Sequence, residues 1–318
     1  MALINVKVEA ITQEAGDVRS FLLAKRGFLK LPRYTPGSHI DVHCGEGIIR
    51  QYSLCGNPDD RCHYQIAVKQ VDPSRGGSEL MHGAVEEGDR LEIGSPRNNF
   101  PLDETASFTL LMAGGIGITP IIAMADRLHA IGKPFELHYF TRGADHSAFR
   151  DRLNRGLYAD CISLYEGFDG AETERQLESI FSSHPTGQVY ICGPAPFMEA
   201  TESLALKDRS AEQVNLERFA ANPAIAGAPT FPFQIELARS GTVLDVGAEQ
   251  TILEVLEQNN IDAAFSCEQG VCGTCVTKIL HGAPDHRDSF LTERQRAAQN
   301  TLCLCVSRCA GQKLVLDL

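Results

Sequence analysis

Three cysteines, Cys267, Cys272 and Cys275, are spaced C-x4-C-x2-C, and six of the chain's eleven cysteines fall between positions 267 and 309. This is the plant-type spacing for a [2Fe–2S] cluster, which a distant fourth cysteine completes. A short loop can aim three thiolates at two irons only if its backbone curls tightly. Gly270 and Gly273 supply that curl, because glycine accepts backbone angles that other residues resist. Zinc sites usually pair one C-x2-C unit with another or with histidines, and neither His281 nor His286 is placed to do so. The fourth ligand is open at this level. Cys303 and Cys305 lie two apart, so on a strand both face one side, and they follow Cys275 after 27 and 29 residues. The other five cysteines, Cys44, Cys55, Cys62, Cys161 and Cys192, are scattered and read as small buried hydrophobes.

The rest of the chain is long enough for further domains. It has 318 residues, 43% hydrophobic and 22% charged, the profile of an ordinary globular protein. A net charge of −12 argues against nucleic acid and suits a partner with a basic docking patch. No apolar run approaches the roughly 18–20 residues of a membrane span, and MALINVKVEA lacks the pattern of a signal peptide. The expected location is the cytoplasm, where disulfides are disfavoured and clustered cysteines point to metal or redox chemistry.

Over the first hundred residues, HIDVHC, IRQYSL, YQIAVKQV and DRLEIG alternate and are broken by Gly, Pro and Asp, which predicts an antiparallel β-barrel or sandwich. From about 107 the pattern changes. FTLLMAG reads as a buried strand, GGIGITP as a turn and IIAMADRLHAI as a helix; FELHYFTR and QVYICGP repeat the strand signal. Alternating strand and helix predicts a parallel sheet covered by helices. The uncharged stretch AANPAIAGAPTFP suits a linker. After it, FQIELARSGTVLDV reads as a hairpin and TILEVLEQNN as a helix.

Several segments suggest phosphate or ring binding. GGIGITP (Gly114 to Pro120) and CGPAPFM (Cys192 to Met198) each connect a strand to a helix, where a glycine-rich backbone can approach a pyrophosphate. A tight structural turn is the alternative for the first, which lacks the G-x-G-x-x-G fingerprint. RQYSL puts Arg50, Tyr52 and Leu54 on one strand face and Gln51 and Ser53 on the other. RGGS, Arg75 to Ser78, offers a guanidinium, amides and a hydroxyl, a phosphate cradle without a helix. The bland alternatives are a half-buried strand and a solvated loop.

In this order RQYSL, RGGS, GGIGITP, CGPAPFM, ERF, SCEQGVCGTC, PDHRDSFLT and CVSR resemble the ferredoxin–NADP reductase superfamily fused to a ferredoxin. The nearest pattern is the phthalate dioxygenase reductase type, which includes the vanillate O-demethylase reductases. The resemblance covers essentially the whole chain. It implies a flavin-binding antiparallel β-barrel (1–103), an α/β parallel-sheet nucleotide domain (104–222), a linker (223–231) and an α+β β-grasp ferredoxin domain (232–318).

It also implies roles. Arg50, Gln51, Tyr52 and Ser53 match the flavin motif, with Arg50 toward the phosphate and Tyr52 and Ser53 at the isoalloxazine. Ala67, Val68 and Lys69 match a strand lining the flavin. Arg75, Gly76, Gly77 and Ser78 match the loop on the FMN phosphate, which implies FMN rather than FAD. Gly115, Gly117, Ile118 and Thr119 match the NAD pyrophosphate turn. Thr141 and Arg142 match the strand end near the adenosine ribose; the implied donor is NADH, with NADPH kept open by Arg142. Cys192, Gly193 and Pro194 match the segment beside the nicotinamide, and Phe219 the aromatic residue near the flavin. Catalytic parts fall to Ser53, which can steady charge at N5, to Cys192, which can orient the nicotinamide (a buried structural cysteine being the alternative), and to Phe219. Cys305 matches the fourth cluster ligand, although Leu304 stands where the family usually has proline. The implied partner is a Rieske-type terminal oxygenase acting on an aromatic or similar small compound, and the family default is a monomer. The rivals are a redox sensor, and a reductase serving another acceptor such as a cytochrome P450.

Overall fold

The computed structural model describes residues 3–318 apart from 26, 28, 29, 46, 75 and 221–228, and apart from the side chain of Glu293. The chain forms two compact units, Met1–Glu217 and Arg218–Leu318. The expected boundary at 103/104 falls inside the first unit. Of the expected linker, 223–228 lies outside the described residues.

The first unit begins with strands β1 (Ile4–Ala15), β2 (Val18–Lys25), β3 (Ser38–His43), β4 (Ile49–Ser53), β5 (His63–Lys69), β6 (Arg90–Ile93) and β7 (Arg97–Asn98), with the short helix α1 (Gly77–Gly83) after β5. They pair in the order β4-β3-β6-β1-β2-β5, with β7 on β3. A bridge between Leu54 and Ile66 joins the two edges, so the antiparallel sheet curls upon itself. Closure removes open edges and makes an interior, filled by Val8, Phe21, Leu23, Ile40, Tyr64 and Ile66. The four short runs predicted as strands appear as β3, β4, β5 and β6. The long β1–β2 hairpin was not anticipated; its register shifts twice, between Val8 and Ala10 and between Gln13 and Ala15, which blurs the two-residue alternation.

The chain then alternates. Strands β8 (Thr109–Gly114), β9 (Phe135–Thr141), β10 (Ile162–Glu166), β11 (Gln188–Cys192) and β12 (Val214–Glu217) are interleaved with helices α2 (Ile118–Ala130), α3 (Arg150–Arg155), α4 (Gly170–Ser183) and α5 (Ala195–Ala205). All neighbours run parallel, in the order β10-β9-β8-β11-β12. β8 is buried along its whole length, as a strand covered on both faces must be. Strand order reverses between β8 and β11, and in such sheets ligands bind at the carboxyl ends of the strands flanking the reversal. Barrel and parallel sheet share one core: Val18, Cys55, Ala67 and Phe100 cluster with Leu111, Ile121, Leu137 and Tyr190.

The second unit is a mixed sheet, β14-β13-β19-β15-β17, of β13 (Phe233–Leu237), β14 (Thr242–Val246), β15 (Val276–His281), β17 (Thr301–Cys303) and β19 (Lys313–Leu316). β13 and β19, the first and last strands of the unit, pair in parallel, and a small ladder joins β16 (Pro284–Asp285) to β18 (Arg308–Cys309). Helix α6 (Ile252–Gln258) starts at Thr251, which exchanges capping hydrogen bonds with Glu254, and buries Ile252, Leu253, Val255 and Leu256 against the sheet. Helix α7 (Glu293–Ala298) precedes β17. The predicted hairpin and helix are therefore β13–β14 and α6.

Candidate functional site

The cysteine loop curls as its glycines require. Gly270 has φ 68° and Gly273 φ 72°, and Glu268 between them and Cys267 also sits at φ 55°. A β-carbon on Gly273 would fall 2.2 Å from the Phe290 ring, and one on Gly270 2.5 Å from Val306, so both glycines are required by space as well as by angle. Cys267, Cys272, Cys275 and Cys305 are each at most 8% exposed, and none of the chain's cysteines is in a disulfide. The Cys275 and Cys305 sulfurs are 3.3 Å apart. Amides converge on these sulfurs: Gln269 N–H donates to Cys267 at 3.4 Å, and Thr274 N–H to Cys272 at 3.4 Å. The Gly270 amide donates to Cys305. The thiols also share protons. The Cys267 S–H holds Cys272 down to about 6, and Cys303, then Cys305, hold Cys275 down to about 3. Four inward sulfurs with N–H donors aimed at them are the donor set an iron–sulfur cluster needs, so the residues fit that group. Cys303 is also near, but it pairs with Val276 inside the sheet and is fully buried in the core.

In the first unit, RQYSL and RGGS come together. A β-carbon on Gly77 would lie 2.3 Å from Arg50 Cγ and 3.0 Å from its Nε, so Arg50 runs directly across that glycine. This is a cradle that a side chain would fill, and it suits a phosphate approached by guanidinium and backbone. Contrary to the expectation of a cradle without a helix, Gly76 (φ 89°) is the N-cap of α1. Arg75 lies outside the described residues. The Ser78 hydroxyl is 3.0 Å from Ser74 Oγ and accepts from the Val71 amide at 3.3 Å. Gln51 donates to Asp41 at 3.0 Å, and Tyr52 packs on the barrel core, where burial raises its phenol. Ala67 belongs to the core shared with the parallel sheet, whereas Val68 turns into the barrel, its carbonyl 2.9 Å from His82 Nε2. Lys69 pairs with Asp17 at 3.4 Å.

The two nucleotide turns meet at the strand reversal. A β-carbon on Gly117 would sit 2.2 Å from the Cys192 carbonyl oxygen, and one on Gly193 3.0 Å from Gly114 Cα. The turns therefore pack backbone to backbone, and Gly115 (φ 52°) faces open space. Ile118 and Thr119 are buried, and the Thr119 hydroxyl donates to the Ile116 carbonyl at 3.0 Å, so both shape the turn rather than line it. Pro194 caps α5. At the end of β9, Thr141 Oγ1 is 2.8 Å from Ser147 Oγ, and the Arg142 guanidinium is largely exposed, 3.7 Å from Asp17. Phe219 is 41% exposed.

One residue was missed. Ser53 Oγ donates to Glu217 Oε2 at 3.4 Å, linking the end of β4 to the end of β12. Glu217 keeps some exposed surface yet is surrounded by protein, as at the floor of a crevice, and desolvation pushes its carboxyl up to about 8. Burial, then Glu217, raises the Cys192 thiol, which stays protonated. Ser53, Cys192 and Glu217 thus form a neutral, proton-bearing group where barrel and parallel sheet join. The ERF segment carries Glu217 two residues before Phe219, the aromatic residue to which the resemblance points.

A cysteine-ligated electron-transfer unit joined to a barrel and a doubly wound sheet defines the class: an iron–sulfur oxidoreductase with a nucleotide crevice. The comparisons agree. Residues 235–310 match the family model of the 2Fe-2S iron-sulfur cluster binding domain. The chain is 41% identical to the vanillate O-demethylase oxidoreductase of Pseudomonas putida over 99% of its own length and 100% of that protein's. It is 39% identical to the oxidoreductase NdmD of the same species over 96% of this chain but 52% of that one, so it spans about half of that relative. Among solved structures, phthalate dioxygenase reductase, described as a modular structure for electron transfer from pyridine nucleotides to [2Fe-2S], matches over 100% of this chain and 98% of its own with TM-score 0.77 and 35% identity. An intact type IV self-sufficient cytochrome P450 monooxygenase matches over 99% of this chain and 41% of its own with TM-score 0.85 and 38% identity. The chain belongs to the family of pyridine-nucleotide-dependent flavin and iron–sulfur reductases that contains the vanillate O-demethylase oxidoreductases. Among the described residues no helix is long and apolar enough to cross a membrane.

Proposed function

We propose that this chain is the reductase component of a multicomponent oxygenase, taking electrons from NADH through FMN and a [2Fe–2S] cluster to a Rieske-type terminal oxygenase. The observation that carries it is the coexistence in one chain of a four-sulfur donor set and a crevice where two glycine turns touch. When bound, flavin would supply hydride acceptance and one-electron release, and a cluster held by the four cysteines would supply one-electron transfer.

The residues' parts are those the resemblance implies, and the surroundings of the described ones support them. Cys267, Cys272, Cys275 and Cys305 hold the cluster. Arg50, Gly76 and Gly77 hold the FMN phosphate, with Arg75 and Ser78 completing the loop; Tyr52, Ala67, Val68 and Lys69 line the flavin. Gly115, Gly117 and Gly193 let the pyrophosphate approach the backbone, while Ile118, Thr119 and Pro194 shape the turns. Thr141 and Arg142 meet the adenosine ribose. With flavin bound, Glu217, neutral at pH 7, would donate its proton to Ser53 Oγ, which frees the serine hydrogen, given to Glu217 in this structure, to turn toward N5 without a second negative charge where charge develops. Cys192 positions the nicotinamide as a thiol, and for Phe219 a part near the flavin rests on the resemblance alone.

The self-sufficient P450 match supports a second reading of the acceptor, because a segment similar to this whole chain there accompanies a P450. The test is direct. Heat-released flavin should be FMN, and NADH-reduced protein should pass electrons rapidly to a purified Rieske oxygenase and slowly to a P450. FAD, or faster transfer to the P450, overturns the first reading. Negligible NADH turnover with either acceptor and with cytochrome c makes the chain a redox sensor instead.

A further inference from the structure

Away from both sites, the first unit carries a second group of metal-ligating side chains. Glu136 and His138 alternate on β9 and so share one face of the sheet, while His184 caps the carboxyl end of α4. Glu136 Oε2 is 3.3 Å from His138 Nε2, and Glu136 Oε1 is 3.1 Å from His184 Nε2. One donor atom from each residue lies within 4.8 Å of the other two. Zinc bonds of about 2.0–2.2 Å put tetrahedral donors roughly 3.3 Å apart, so the triangle would close somewhat around an ion, a movement the half-exposed Glu136 carboxylate can supply by rotating.

The rings are oriented for such an ion. His184 Nδ1 donates to the Ile180 carbonyl at 2.9 Å, because a carbonyl can only accept, and this directs Nε2 toward the triangle. His138 Nδ1 lies 3.0 Å from the Tyr165 hydroxyl, which Gln176 also engages at 3.3 Å. Metal-bound histidines characteristically use their second nitrogen this way. Stacking fixes the ring planes: His184 on Phe108 at 5.4 Å and 5°, and His138 on Tyr165 at 5.9 Å and 15°. The His138 side chain is 5% exposed, and its Nε2 is buried with no partner in hydrogen-bonding geometry among the described residues; Glu136 is near it but off line. A buried, unpartnered imidazole nitrogen aimed at a carboxylate and a second imidazole is costly unless something joins them. Glu136 is 42% exposed at the rim, giving an ion a way in and room for a water ligand.

We propose that Glu136, His138 and His184 form a binding site for a divalent transition-metal ion of the zinc class, with three protein ligands and an open position. The residue types fit that choice, since imidazole selects zinc, copper or nickel over magnesium or calcium. Glu136 lies opposite Leu110 near the start of β8, at the other end of the sheet from the nucleotide turns. The ion would therefore staple β9 to the end of α4 rather than take part in electron transfer.

The test is calorimetric titration of zinc chloride into the intact holoprotein, with cluster absorbance followed to confirm that iron is not displaced. We expect one site, at least about tenfold weaker in both Glu136→Gln and His184→Gln, and a melting temperature that rises with zinc in the parent but not in the variants. Glu136 is a rim residue, so its variant keeps the fold, and NADH-driven cytochrome c reduction should be unchanged in it. No zinc binding by the parent, binding unaltered in either variant, or binding only with loss of cluster absorbance overturns the proposal.

Discussion

The two units assemble their sites differently. In the second unit three of the proposed ligands come from one nine-residue loop, and the Cys275–Cys305 contact spans 30 residues. In the first, the Ser53–Glu217 contact spans 164 residues, and the flavin and nucleotide positions are scattered over strand ends that only the complete fold brings together. A local site is written in spacing; a distributed one is written in topology. The local site should fail by losing one ligand, and the distributed one should weaken by degrees.

The largest effect tests that contrast directly. Cys305→Ser should abolish the cluster, read as loss of iron and of its visible absorbance, while Cys303→Ser keeps it. The reverse outcome would give the ligand role to Cys303. Next, Gly77→Ala forces the Arg50 stem aside and should weaken FMN at least about tenfold, equivalent to about 1.4 kcal/mol, measured by fluorescence of released flavin. Cluster content should not change.

A third effect is pH-dependent. Because Glu217 in the fold keeps its proton up to about 8 and the unfolded chain loses it near 4.5, the native state binds more protons across that window. This contribution therefore lowers stability as pH rises from about 4.5 to about 8. Glu217→Gln should flatten that slope in thermal melts and stabilise most near pH 8. A variant slope equal to the parent's would place Glu217 in contact with solvent. The smallest effect is Arg142→Ala. An exposed charge contributes about 0–1 kcal/mol, so the NADPH kcat/KM should fall by no more than about fivefold with NADH barely altered.

The same contrast decides what could be read beforehand. The cluster loop was legible because C-x4-C-x2-C and its two glycines are adjacent, and the buried run of β8 and the period of α2 were legible for the same local reason. The choice between Cys303 and Cys305 was not, because residues two apart on a strand share a face; both thiols bond Cys275, and the Gly270 amide at Cys305, against the strand pairing of Cys303, is what supports Cys305. The helix that begins within RGGS was hidden because glycines read as loop. Glu217 was hard to read for a different reason: ERF marks the segment, but the weakened acidity of its carboxyl comes from enclosure, which spacing does not record. Glu136, His138 and His184 were missed likewise, since a strand and a distant helix end contribute to one triangle.

The central claim is that electrons entering at the nucleotide crevice reach the cysteine-held cluster. Anaerobic titration of the purified holoprotein with NADH, followed by flavin absorbance and EPR, tests it most directly. We expect the flavin band to bleach and an axial reduced-cluster signal to grow in the parent, and the bleaching alone to survive in Cys305→Ser. Bleaching without any cluster signal in the cluster-loaded parent, or no bleaching at all, would contradict it.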